Sequence, residues 1–238
     1  MQRGGNPRSA RSDMPLSDQI YQRLKWSLIV GEHGPDSALS IRTVAERMGT
    51  SMMPVREALK RLASERALIA SANRSFRVPR LDPARVSDLF FLRANLEGAA
   101  TELATPRMTL AEIDQLEKLA RRTNKDVESG VRGDYLANNY AFHFTIYAGA
   151  GNPELTSIIE GLWAQSGPYL ADVVRVLETT EDWRLLHARI AEAIGARNAR
   201  LARDLVEQDI GWGMKVYDQL ADSGDSVSQT SPSPHHGC

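Results

Sequence analysis

From Asp82-Pro83 to about residue 220 the chain shows only helical spacing: apolar residues recur three and four apart, in spans too long for strands. Residues four apart stack on one side of a helix, so these spans must bury their apolar sides against one another as an all-helical bundle. Asp82 is a good N-cap and Pro83 suits the first helical position, which starts a helix running to about Ala104. Thr109 and Glu112 form a capping box for a helix to about Ser129, and Asp134 starts the helix that carries Tyr135 to Tyr147. Further helices are predicted over 153–165, 168–178, 181–195 and 198–220, separated by Gly167-Pro168, Thr179-Thr180 and the Arg197-Asn198 region.

The preceding segment has a different grain. Ile20, Leu24 and Leu28, beside Tyr21 and Trp26, give one helix; HGPDSA is a turn; Ser40 caps IRTVAERM, which Gly49 ends. Ser51 caps a third helix with Val55, Ala58, Leu59 and Leu62 on one face, and LIASANRSFRVPR reads as a small hairpin. Three helices, two of them joined by a tight turn, followed by a hairpin make a winged helix-turn-helix. The expected protein is therefore mainly α, with a winged helix-turn-helix over 15–80 and an all-α bundle over 81–221. A Gly/Arg/Ser-rich arm over 1–14 and a low-complexity tail over 222–238 are read as disordered.

Charge supports that division. The formal net charge of −1 conceals 14 Lys+Arg against 7 Asp+Glu in residues 1–80, and 15 against 23 in the remainder. A basic head suits a polyanion. With Val55, Ala58, Leu59 and Leu62 facing inward, the opposite stripe of the third helix is Met52, Arg56 and Lys60, preceded by Ser51. Arg56 is placed to read guanine and Lys60 to meet phosphate. Arg42, near the start of the second helix, and Arg74 and Arg77 on the hairpin are further candidate contacts; the alternative for each cation is a solvated surface. No apolar run reaches the ~18 residues of a membrane span. The polar, basic opening lacks a signal peptide's apolar region. The single cysteine, Cys238, cannot form an internal disulfide, and a cytoplasmic protein is expected.

Inside the bundle a second chemistry is suggested. Asn139 and His143 lie one turn apart between Tyr135 and Tyr147, with Phe142 and Ile146 on the apolar flank, so this stripe either meets solvent or faces a cavity. His187 shares a face with Trp183, Ile190, Ala191 and Ile194, and Asp209 falls among Ala202, Leu205, Val206, Gly213 and Val216. A carboxylate on an apolar stripe has to be paired or bound to a cation, and the imidazoles of His143 and His187 are its simplest partners. Arg93 and Glu97 share the stripe Val86, Phe90, Arg93, Glu97, Ala100; Arg93 either receives a ligand's carboxylate or pairs with Glu97 one turn away. Tyr135 and Tyr147 either line the same pocket or pack. There is no helix-borne H-E-x-x-H and no nucleophile elbow, which argues against an enzyme.

The stretch IRTVAERMGTSMMPVREALKRLASERAL resembles the GntR family of bacterial regulators, with PVREALKRL its most specific part; Arg42 and Arg56 fall on that family's DNA-contacting arginines. Met52 stands where the family usually has arginine, and Ser75 where its wing usually has glycine. LRANLEGAA (92–100), FHFTIYAGAGNPEL (142–155) and LLHARIAEAIGARN (185–198) are similar to the FadR/FCD branch. That resemblance implies an effector cavity and, in many members, a metal held by Asp, His, His and His. Those positions are occupied here by Asn139, His143, His187 and Asp209, so the carboxylate has moved from the first place to the last. Two imidazoles, a carboxylate and an amide oxygen are acceptable ligands for zinc, nickel or manganese, and an Asp209–imidazolium pair without metal is the alternative. The resemblance implies a homodimeric, ligand-responsive DNA-binding regulator, a repressor of operator DNA that senses a small organic acid. A regulator blind to effectors and a metal-dependent enzyme are the rival readings.

Overall fold

The computed structural model describes residues 14–71, 75–80, 82–128, 132–177 and 185–222. Arg74, Trp183, the Thr179-Thr180 boundary, the arm up to residue 13 and the tail from 223 lie outside the described residues. The head is α1 (Leu16–Ile29), β1 (Ala38–Ser40), α2 (Ile41–Met48), α3 (Met52–Ser64), β2 (Ile69–Ser71) and β3 (Ser75–Arg77). The bundle is α4 (Pro83–Ala104), α5 (Leu110–Glu128), α6 (Arg132–Gly149), α7 (Pro153–Leu177), α8 (Leu186–Gly195) and α9 (Ala199–Asp222).

In the head, the Ser40 side chain accepts from the Thr43 N–H, and Gly49, at φ +62°, closes α2 in the left-handed conformation that glycine adopts without a Cβ clash. Ser51 has the extended backbone of an N-cap, but its side chain makes no cap hydrogen bond. Leu28, Val55, Leu59 and Leu62 have essentially no exposed surface, each burial stabilising the head by about 1.5–3 kcal/mol. The wing has three strands in the order β1-β3-β2, all antiparallel, with Leu39 and Ala70 both opposite Phe76. Sequence reading gave the hairpin but showed β1 only as part of a turn. Three residues are too few for alternation to register, and backbone bonds between Asp36 or Ser37 and Val78 hold β1 in place.

Two of the bundle's helix starts follow their capping residues, whereas α6 is already helical from Arg132, ahead of the start expected at Asp134. Asp82 accepts from the Arg85 N–H at 2.8 Å with Pro83 in the first turn. Glu112 accepts from the Thr109 N–H at 2.7 Å while Thr109 accepts from that of Glu112. Helix α4 packs chiefly on α9, with α7 and α6 against it; α5 lies on α6 and α8. Helix α7 corrects the sequence reading, because it continues through Gly167-Pro168. A proline removes one backbone donor, but a helix flanked by α1 and α4 draws most of its stability from burial and absorbs that loss. Gly167 is needed for contact rather than for a break: a Cβ there would lie 2.3 Å from the Leu28 carbonyl oxygen. The end of α1 therefore rests on α7, joining head and bundle.

Candidate functional site

Three bundle helices bring their polar residues to one point. His143 on α6 and His187 on α8 are 2% and 3% exposed, and the Asp209 side chain on α9 is 19% exposed. His143 Nε2 lies 3.3 Å and His187 Nε2 4.0 Å from the same oxygen, Asp209 Oδ2. One ligand atom from each of the three residues falls within 4.8 Å of the others. His143, His187 and Asp209 thus converge as the sequence suggested. Asn139 stands one turn before His143 on α6 and is half-buried.

The opposite ring nitrogens decide what this cluster can hold. The Thr123 hydroxyl donates to the Ala120 carbonyl at 2.9 Å, so at 3.1 Å from His187 Nδ1 its oxygen can only accept. With the hydroxyl so engaged, the geometry favours a His187 tautomer that donates from Nδ1 and leaves Nε2 free to accept a cation. The Tyr147 hydroxyl donates to Glu97 Oε2, so its contact of 3.0 Å with His143 Nδ1 is likewise one in which the imidazole donates. Both Nε2 atoms therefore turn toward an anionic oxygen. Either of two species can occupy that centre: a proton shared between His143 Nε2 and Asp209 Oδ2, or a cation. With both imidazoles oriented by hydrogen bonds on their far sides, the donor set fits a divalent transition metal.

The electrostatics agree. Burial pushes His187 down to about 4, an effect that Asp209 opposes and His143 reinforces, so this imidazole stays neutral at ordinary pH. Burial alone would raise the Asp209 carboxyl, yet the His143 hydrogen bond and the electrostatic pull of the two imidazoles and Arg93 hold it below the usual carboxylate range. Burial, then Asp209, drives the Tyr135 hydroxyl well above its ordinary value, and burial, then Glu97, does so for Tyr147; both phenols remain neutral. Tyr135 is buried beside the carboxylate, whereas Tyr147 links His143 to Glu97.

Arg93 is committed within the protein. Its Nε donates to Glu97 Oε1 at 2.7 Å, its Nη1 to Ser166 Oγ at 3.2 Å, and its guanidinium lies 4.4 Å from the centre of the Trp163 ring. Of its two readings, the pair with Glu97 is formed, in a position 4% exposed for Arg93 and fully buried for Glu97. The row Arg93–Glu97–Tyr147–His143–Asp209 is continuous. Thr123, Ser166 and Trp163 were not singled out from sequence; the one available signal was a polar or indole group on an otherwise apolar helix face.

On the head, Ser51, Met52 and Lys60 are exposed along α3 and Arg56 is half-buried. Arg42 is exposed and bonds its own-helix neighbour Glu46 at 2.8 Å, while Lys60 reaches Glu57 at 3.4 Å. Such exposed pairs exchange readily for phosphate. Arg77, half-buried on β3, sits between Ala38 and Ile69 of the flanking strands.

A winged-helix head fused to a helical bundle with a buried His-His-Asp centre defines a two-domain DNA-binding regulator. Residues 16–78 match the bacterial regulatory proteins of the gntR family, and residues 88–211 match the FCD domain. The HTH-type transcriptional regulator McbR of Escherichia coli is 30% identical over 211 residues, 86% of this chain and 95% of McbR. The HTH-type transcriptional repressor GlaR of the same organism is 29% identical, over 80% of this chain and 90% of its own length. The solved structure of E. coli McbR/YncC aligns with a TM-score of 0.80 at 26% identity, covering 87% of this chain and 99% of that one. A GntR regulator from Rhodococcus sp. RHA1, 16% identical with a TM-score of 0.69, shares the fold. The chain belongs to the GntR family of transcription regulators and carries an FCD domain; it is a regulator, not an enzyme. No helix among the described residues is long and apolar enough to cross a membrane.

Proposed function

We propose that this regulator is a cytoplasmic, homodimeric repressor whose FCD domain holds a divalent transition metal and responds to a small organic acid. The observation that carries the reading is the convergence of two imidazole Nε2 atoms on Asp209 Oδ2, with Thr123 and Tyr147 within hydrogen-bond distance of the Nδ1 atoms on the far sides of the rings. His143, His187 and Asp209 hold the ion, with the Asn139 amide as a fourth candidate ligand. When bound, it supplies a Lewis-acidic centre for the acid's carboxylate. Because Glu97 already pairs with Arg93, a bound metal would be the acid's main anchor, and Arg93 would act through Glu97 and Tyr147 on His143. Repression is favoured by the likeness to GlaR, described as a repressor. Dimerisation is favoured by an apolar row left open on the outer face of α4, where Phe91 is 67%, Leu92 40% and Leu103 41% exposed.

Arg42, Arg56, Lys60 and Arg77 are the proposed DNA contacts, with Ser51 and Met52 beside them and Arg74, outside the described residues, a further candidate; paired heads read half-sites about one DNA turn apart. The test is calorimetry of metal-stripped protein with zinc, nickel and manganese. At least one should bind at about 1:1 per chain and release about one proton, which appears as a dependence of the heat on buffer ionisation. Absence of heat with all three overturns the metal reading.

A further inference from the structure

The contact between head and bundle is built on the same helix turn that carries the metal-site histidine. Lys25 of α1 is 4% exposed, and its Nζ lies 2.8 Å from Glu160 Oε2 of α7. The other oxygen of Glu160 accepts from the Tyr140 hydroxyl at 2.9 Å, and Tyr140 precedes His143 by three residues on α6. Trp26 of α1 meets Tyr140 edge-on, with ring centroids 5.1 Å apart and planes at 88°. Trp163, one turn beyond Glu160 on α7, touches Tyr140 at 5.8 Å and His143 at 5.5 Å between centroids.

A lysine this deep is tolerated only with its charge matched, so loss of Glu160 would leave an uncompensated buried cation. Head and bundle are therefore not joined by a slack linker. Trp163 also has an unmet need: its indole Nε1–H is fully buried and has no acceptor among the described residues. Such an orphaned donor is disfavoured, and an altered seating of α6 on α7 can bring it an acceptor. The ring that touches both the sensor histidine and the interdomain tyrosine is the one not fully satisfied where it stands.

We propose that Lys25, Glu160 and Tyr140, with Trp26 against Tyr140 and Trp163 behind it, form the contact through which occupancy of the His143/His187/Asp209 centre sets the pose of the DNA-reading head. The proposal rests on the metal reading above. Drawing His143 onto an ion shifts the turn of α6 that carries Tyr140. Tyr140 and Trp163 pass the shift to Glu160 and Trp26, and α1 moves with them. A ligand can bias two arrangements only by binding them differently; the difference lies in where α6 holds His143.

The test uses the full-length chain, zinc as the probe, and two readouts: calorimetry for zinc binding and hydrogen exchange of the α1 backbone with and without zinc. In the parent protein zinc should change α1 exchange by about fivefold or more, within the usual range of site-to-site coupling. Tyr140→Phe keeps the ring but loses the Glu160 hydrogen bond, and Lys25→Met removes the buried charge. Both should bind zinc within about twofold of the parent while α1 no longer responds. If Lys25→Met fails to fold, Tyr140→Phe and Glu160→Gln carry the test. Zinc heat with unchanged α1 exchange in the parent, or a full α1 response in Tyr140→Phe, overturns the coupling and leaves the metal reading standing. If zinc gives no heat and nickel or manganese does, that ion replaces zinc as the probe; no heat in the parent with any of the three overturns the metal reading and the coupling together.

Discussion

Thr123 has one hydroxyl hydrogen, and giving it to the Ala120 carbonyl favours the Nδ1–H tautomer of a histidine on another helix. Thr123→Val keeps the shape, removes that acceptor and frees His187 to flip its proton to Nε2. Zinc affinity should fall about 10- to 100-fold with little change in apo thermal stability, as read by calorimetry and melting. An unchanged affinity would detach Thr123 from the centre. The depressed His187 also predicts a pH dependence for the metal-stripped protein. The unfolded imidazole takes its proton near 6.5 and the folded one only near 4. Its contribution is therefore complete above the unfolded value and is lost as the pH falls toward the folded one. Between about pH 6.5 and about pH 4, wild type should lose on the order of 3 kcal/mol from this group. Urea midpoints across that range should fall more steeply for wild type than for His187→Gln. The three central residues were legible from sequence because polar groups on apolar helix faces need partners. Thr123 was not, since a threonine on a buried face commonly satisfies itself through its own helix, and only the fold brings His187 to it.

At the scale of elements, α3 sorts its cations by what they can reach. Arg56→Ala should weaken the specific operator by about 1–3 kcal/mol and relax the choice of base. Lys60→Ala should weaken all duplexes alike and lower the salt slope by about one. Filter binding to specific and scrambled DNA over a salt series separates the two; the same loss on both duplexes for Arg56→Ala would make it another phosphate contact. Helix starts were readable because Ser40, Asp82 and the Thr109–Glu112 pair act locally, within one turn. Strand β1 and the unbroken α7 were not, because their causes are distant: β1 exists through β3, and α7 passes its proline because α1 and α4 hold its sides. Glycine before proline looks alike in sequence whether it ends a helix or clears room for a neighbour.

For the whole molecule, the basic head and acidic bundle mean that DNA attracts one end and repels the other, which orients the approach. The open row on α4 predicts self-association. Leu103→Glu should convert a dimer to a monomer in sedimentation, with the helical signal retained and DNA affinity reduced about 100-fold or more by loss of the second half-site. A wild-type monomer at micromolar concentration would remove that surface from the dimer. The helix start at Asp82-Pro83 was plain in the sequence, whereas the docking of α1 on α7 was not, because Lys25 and Glu160 each look like ordinary surface charges until those helices meet.

Where α1 lies on Gly167 there is room for a hydrogen atom and nothing larger. A side chain at that point would press on the backbone of Leu28 and Ile29, so any larger residue there would have to lift the head from the bundle.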